Sequence, residues 1–139
     1  MAKAKTYRQK LVAKLDKVFS QYVRLRDARH VGGYCACITC GSLHHWKEID
    51  CGHFIPRARL ATRWDEFNCA AQCKRCNYHR HGEHDIFRAE LVRIYGRTAI
   101  EAMETKSRLG GKHDLIQLDA LLQEYKAKNK KLREKKGLA

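Results

Sequence analysis

The sequence predicts a small α+β domain, a cysteine-rich β core enclosed by helices before and after it. Three observations predict this. Apolar residues recur at helical spacing near the N-terminus and again through the last third of the chain. The stretch between them mixes aromatic and β-branched residues with turn formers. Two Cys-x-x-Cys pairs, Cys37/Cys40 and Cys73/Cys76, lie in that stretch. With 139 residues, 1–139 is expected to be one domain. A chain of this size buries about two-thirds of its surface, enough for a real core.

The elements follow in order. Residues 7–28 read as an amphipathic helix carrying Leu11, Leu15, Val18, Phe19, Tyr22, Val23 and Leu25. Gly32-Gly33-Tyr34 ends it. The core is expected over 34–82. Within it, residues 34–55 read as a short hairpin whose second strand is Ile49 to Ile55, stopped by Pro56, which cannot donate to a ladder. Residues 57–67 read as a loop with a short helical turn, and 73–82 as the start of a helix opening at the second cysteine pair. Helices are expected over 84–125: a stripe of Ile86, Leu91, Ile94 and Tyr95 up to Gly96, then Thr98 to Leu109 up to Gly110-Gly111. A third helix, 113–135, places Leu115, Leu118, Leu122 and Tyr125 inside. Its lysine-rich end, 126–139, reads as a basic tail whose final turns fray.

The net charge is +14, concentrated at the two ends: Lys3, Lys5, Arg8 and Lys10 at one, seven lysines and arginines from Lys126 to Lys136 at the other. Basic arms of this kind lie along a polyanion or merely solubilise. No window is long and apolar enough for a membrane span. The N-terminus lacks the apolar stretch of a secretory signal, so a cytoplasmic protein is expected. There, seven cysteines are thiols or metal ligands rather than disulfides.

Four thiolates at this spacing suit one tetrahedral, structural Zn²⁺ on Cys37, Cys40, Cys73 and Cys76. Two residues between thiolates allow a tight turn that aims both sulfurs at one ion, and Gly41 frees the backbone behind the first pair. Cys35 is close enough to compete as a ligand. Cys51 and Cys69 have no partner at knuckle spacing and read as packing residues. Buried free cysteines are the alternative for each pair.

Between the pairs lies Asp50-Cys51-Gly52-His53, then Asn68, and Asn77 follows Cys76 directly. This order resembles the His-Asn-His (HNH, ββα-metal) nucleases, here in a His-Asn-Asn version. Within that superfamily the chain is similar to the NinG/Rap recombination nucleases of lambdoid phages. The residues behind the likeness are Phe19 to Asp27, Cys37-x2-Cys40-Gly41, Gly52-His53-Phe54-x2-Arg57, Trp64 to Asn68, and Gln72-Cys73-x2-Cys76-Asn77. The resemblance runs from about residue 10 to about residue 108, in short pieces whose joint order is specific.

The resemblance implies a zinc-bound ββα-metal (HNH-like) core with flanking helices, and metal-dependent DNA cleavage. His53 is then the general base, Asn68 the residue that hydrogen-bonds and orients its imidazole, and Asn77 a ligand of a catalytic Mg²⁺ or Mn²⁺. His81, four residues on, is a second candidate ligand on the same helical face. Many members place Asp or His directly before the base; this chain has Gly52 there, and Asp50 is the nearest substitute. In an extended strand Asp50 points away from His53, unless a bulge at Gly52 joins them. Arg57, Arg59, Arg63, Lys74, Arg75 and Arg80 surround the motif as candidate phosphate contacts. The implied substrate is branched recombination DNA such as Holliday junctions or D-loops. Symmetric cutting of a four-way junction calls for two active sites, hence a homodimer through the N- or C-terminal helix. The competing readings are a non-catalytic, zinc-stabilised DNA-binding protein and a zinc-knuckle adaptor, for which the basic arms would be superfluous.

Overall fold

A computed structural model describes residues 3–139; Met1 and Ala2 lie outside them. Thr6 Oγ1 accepts a hydrogen bond from the Gln9 N–H while Gln9 Oε1 accepts one from the Thr6 N–H, and this capping box starts helix α1, Tyr7–Asp27. Its buried face is Leu11, Leu15, Phe19, Val23 and Leu25. A hairpin follows, β1 (Tyr34–Ala36) against β2 (Leu43–His45), with the first Cys-x-x-Cys in its loop. Next come β3 (Asp50–His53), the single turn α2 (Leu60–Arg63), a 3₁₀ turn at Glu66–Asn68, and β4 (Cys69–Gln72). The second cysteine pair opens a wide helical turn, Arg75–His79, in which the Arg80 N–H reaches back five residues to Arg75. Helices α3 (His84–Tyr95), α4 (Arg97–Leu109) and α5 (Leu115–Lys136) complete the chain.

The strand pairing departs from the sequence expectation. β3 is not the second strand of the first hairpin. It pairs antiparallel with β4, in the unbroken register Asp50↔Gln72, Cys51↔Ala71, Gly52↔Ala70 and His53↔Cys69, and ends at His53 rather than Ile55. β4 left no periodic signal because all four of its residues, Cys69-Ala-Ala-Gln72, are buried.

The helix expected from residue 73 is also interrupted. His81 and Glu83 adopt left-handed backbones, φ 53° and 49°, around Gly82. α3 therefore restarts in a different phase and buries Phe87 and Leu91, leaving Ile86 and Ile94 largely exposed.

The largest correction concerns 126–139. These residues are not a fraying tail; most of them are the second half of α5, which lies along α1. Leu118, Leu122 and Tyr125 pack on Leu11, Leu15, Phe19 and Val23, with Trp64 and Cys69 closing the cluster. Asn129 is buried and donates to the Val18 carbonyl at 3.0 Å. Leu132 and Leu138 pack on a second cluster of Leu25, Ala28, Cys35, Trp46, Ile49 and Ala71. The Lys136 ammonium donates to the carbonyls of Leu25, Arg26 and Ala28 at 2.6, 3.1 and 3.0 Å, and so caps the C-terminus of α1. The apolar faces of α1 and α5 are spent on each other. Leu115 is largely exposed. Among the described residues no helix is long and apolar enough to cross a membrane.

Candidate active site and metal centre

The sulfurs of Cys37, Cys40, Cys73 and Cys76 lie within 4.8 Å of one another, so the four could hold a structural zinc. Gly41 makes the turn with φ 76°, and its N–H closes onto the Cys37 carbonyl at 2.8 Å. Burial opposes ionisation of Cys40, yet contacts from the Ser42 side chain and backbone bring its pKa down to about 6. Burial pushes the Cys76 thiol up to about 12. One sulfur is thus ready as a thiolate while another keeps its proton until an ion replaces it. The centre ties the β1–β2 loop to the end of β4. Cys35 is not part of it: its thiol donates to the Arg24 carbonyl at 3.2 Å and is held up to about 12 by burial.

His53 ends β3 with a half-buried ring. Its Nε2 lies 2.9 Å from the Arg63 carbonyl. A carbonyl can only accept, so Nε2 carries the proton and Nδ1 keeps the free lone pair. Burial is the largest influence on this imidazole and lowers its pKa below the ordinary 6.5; the nearby Arg57 and Arg63 charges act the same way, and the Arg63 carbonyl and Asp16 oppose them. The ring is therefore neutral at pH 7.

The residue expected to orient it does something else. Asn68 is fully buried and does not hydrogen-bond His53. Its Oδ1 accepts from the Ile55 N–H at 2.7 Å, and its Nδ2 donates to the carbonyls of Ile55 and Thr62, both at 3.0 Å. Asn68 thereby staples the loop that delivers the Arg63 carbonyl, and acts on His53 at one remove. Asp16, on α1, fastens the same loop. It takes a bidentate contact from Arg63 (3.0 and 2.5 Å) and further bonds from Arg57 (2.8 Å) and Trp64 (2.9 Å).

There is no bulge at Gly52, so Asp50 and His53 sit on opposite faces of β3. Both nevertheless line one cavity of about 530 Å³ along the strand, together with Cys51, Asn77 and Tyr78. The Asn77 amide donates to Asp50 Oδ2 at 3.1 Å, and Lys74 sits on Asp50 Oδ1 at 2.6 Å. A side chain at position 52 would run into Gln72, which fills that space; Gln72 Oε1 is buried with no hydrogen-bond partner. Glycine is thus required at position 52, and Asp50 lies one step along the same face. His81 is not brought to the cavity. It is exposed beyond the end of the helical turn, so the shared face with Asn77 does not exist.

Of the expected phosphate contacts, Arg57 and Lys74 line the cavity. Arg63 is committed to Asp16. Arg59, Arg75 and Arg80 are exposed outside the cavity lining, Arg80 within 4.0 Å of Glu83. Arg24 and Lys47 line the cavity and were not legible as site residues, since each sits in a segment whose pattern is explained by packing or turns.

The family model described as the bacteriophage lambda NinG protein matches residues 1–135. The chain belongs to the NinG family. The protein ninG of Escherichia phage lambda is 28% identical over 131 residues, 92% of this chain and 60% of that protein. That of Salmonella phage P22 is 27% identical over 129 residues, 92% of this chain and 60% of that protein. That of Escherichia phage 933W is 30% identical over 95 residues, 68% of this chain and 44% of that protein. This NinG-family chain therefore spans roughly half of the curated relatives it matches. No solved structure matches it.

Proposed function

We propose that this chain is a metal-dependent DNA endonuclease with a ββα-metal (HNH-like) core formed by β3, β4 and the turn at Arg75–His79. One observation carries the reading: the Arg63 carbonyl takes the proton-bearing nitrogen of His53 and leaves Nδ1 free, on a residue that shares a cavity with the Asp50–Asn77 pair. A water hydrogen-bonded to Nδ1 would lose its proton there as it attacks phosphorus. The donor set fits a hard cation: a carboxylate and an amide oxygen, with room for water and phosphate oxygens, is what Mg²⁺ or Mn²⁺ takes. Asp50 and Asn77 would hold that ion once the exposed Lys74 turns from Asp50 toward phosphate and the Asn77 amide, whose Nδ2 faces Asp50, turns its oxygen inward. When bound, it would supply charge neutralisation at the phosphate and the leaving oxygen. Arg57, Lys74, Arg24 and Lys47 would grip phosphates at the cut, and Arg59, Arg75 and Arg80 the flanking backbone. Branched recombination DNA as substrate, two copies per four-way junction, and action in the cytoplasm of a bacterial host are the family-level part of the proposal. Because the apolar faces of α1 and α5 bury each other, two copies that meet through either helix would use its exposed polar face.

The test is incubation with labelled linear, forked and four-way DNA in Mg²⁺, Mn²⁺ or EDTA. Cleavage that needs the divalent ion and vanishes in His53→Ala is expected. The Lys74–Asp50 contact favours a second reading, a zinc-stabilised DNA-binding module in which Asp50 is a structural anion. Binding without cleavage under every ion would establish that second reading and end the first.

A further inference from the structure

The two cysteines outside the zinc knuckle and β1, Cys51 and Cys69, pack with the α1–α5 core, and they also stand beside His53. Cys51 and His53 alternate onto one face of β3, and Cys69 stands opposite His53 in the β4 register. Their sulfurs and a ring nitrogen of His53 all lie within 4.8 Å of one another. We propose that Cys51, His53 and Cys69 form a second, thiophilic metal site, which takes Zn²⁺ or Cd²⁺ and in doing so occupies the imidazole lone pair.

The chemistry of the donors separates this site from the oxygen pair on the other face of the strand. Two sulfurs and an imidazole select soft or borderline ions, whereas Asp50 and Asn77 select hard ones. Three protein ligands leave a fourth position for water, as in an open zinc site. An ion has a way in: Cys51 and His53 line a cavity of about 240 Å³ together with Asp16, Ser20 and Arg57, and Cys69 closes the site from behind, fully buried. Binding exchanges the two thiol protons, released to solvent, for one dication. The charge within the site is unchanged, which suits a buried place. Since Nε2 already donates to Arg63, the ion takes Nδ1. That is the lone pair the proposed hydrolysis needs, so the inhibitory consequence rests on the nuclease reading while the site itself does not.

The experiment is native mass spectrometry of protein carrying its knuckle zinc, titrated with Zn²⁺ and separately with Cd²⁺, for wild type, Cys51→Ala and Cys69→Ala. Wild type is expected to take a further ion, with a thiolate-to-cadmium absorption rise, and either variant to lose more than about tenfold in affinity for it. Circular dichroism identifies any variant that fails to fold, and half-exposed Cys51 is the safer of the two. In parallel, excess Zn²⁺ should suppress Mg²⁺-supported cleavage by wild type, while Cys51→Ala keeps its own zinc-free rate. A wild type that takes no further ion, or a folded Cys51→Ala that takes it equally well, overturns the site. Absence of cleavage by wild type in Mg²⁺ overturns the nuclease reading instead and leaves the ion count to decide the site.

Discussion

Replacing Asn68 by alanine should unfold more than it disables. The side chain satisfies three backbone groups, the N–H and C=O of Ile55 and the C=O of Thr62. Each buried group left unsatisfied costs about 1–3 kcal/mol. The Thr62 carbonyl also accepts from the Asp65 N–H at 3.2 Å and so keeps a partner; Ile55 is half-buried, so water recovers part of the penalty on its two groups. The expected loss is about 1–4 kcal/mol. For a domain between the small and medium classes this lowers the melting temperature by roughly 10 °C. Asn68→Asp should be no better, because it keeps an acceptor for the Ile55 N–H but turns a carboxylate oxygen onto two carbonyls. Chemical denaturation with cleavage measured on the same samples decides the matter. If both variants unfold at the wild-type midpoint and yet do not cleave, Asn68 acts on the reaction and not through the loop, and the argument fails.

Other outcomes follow from the same geometry. Deleting 126–139 should lower stability severely, since Asn129, Leu132, Lys136 and Leu138 go with it; an unfolding midpoint equal to wild type would refute their role in the core. Replacing instead the exposed Lys126, Lys130, Lys131 and Lys135 should leave the fold intact, and should flatten the salt dependence of DNA binding by roughly 0.9 per lost phosphate contact. Removal of zinc, or Cys73→Ala, should unfold the β core rather than merely slow it, which elemental analysis beside circular dichroism will show. Because burial holds the His53 pKa below the ordinary 6.5, the proposed base is free across neutral pH and is lost only as pH falls through that lowered value. The acid limb of a kcat/KM profile should therefore have its midpoint under 6.5; a midpoint above it contradicts the assignment.

The sequence announced the clustered cysteines and α1 because each rests on local chemistry: thiol spacing and a helical stripe. It was silent where a residue's partner is backbone. Asn68 stands at the motif's central position, but no spacing reveals that its amide goes to Ile55 and Thr62. β4 is invisible because a strand buried on both faces does not alternate. The lysine-rich end of α5 misled for a different reason. Lys128, Arg133 and Lys136 look like solvated charge, yet Lys128 meets Glu66 at 3.0 Å, Arg133 lies over Trp46, and Lys136 caps a helix. His81 was displaced by two left-handed residues around Gly82, of which only the glycine is suggestive in a sequence.

The Lys136 cap also dictates an order of events during synthesis. The ammonium and the carbonyl of Leu25 are 111 residues apart. A ribosome adding about 5–20 residues per second needs some seconds to cover that interval. For most of it the stripe of Leu11, Leu15, Phe19 and Val23 has been made, but Leu118, Leu122 and Tyr125 have not. The nascent chain thus carries an uncovered greasy helix while its cysteines emerge and meet metal. Whatever shelters that helix in the interval, whether a chaperone or an early zinc-organised core, decides how much of the product reaches the folded state.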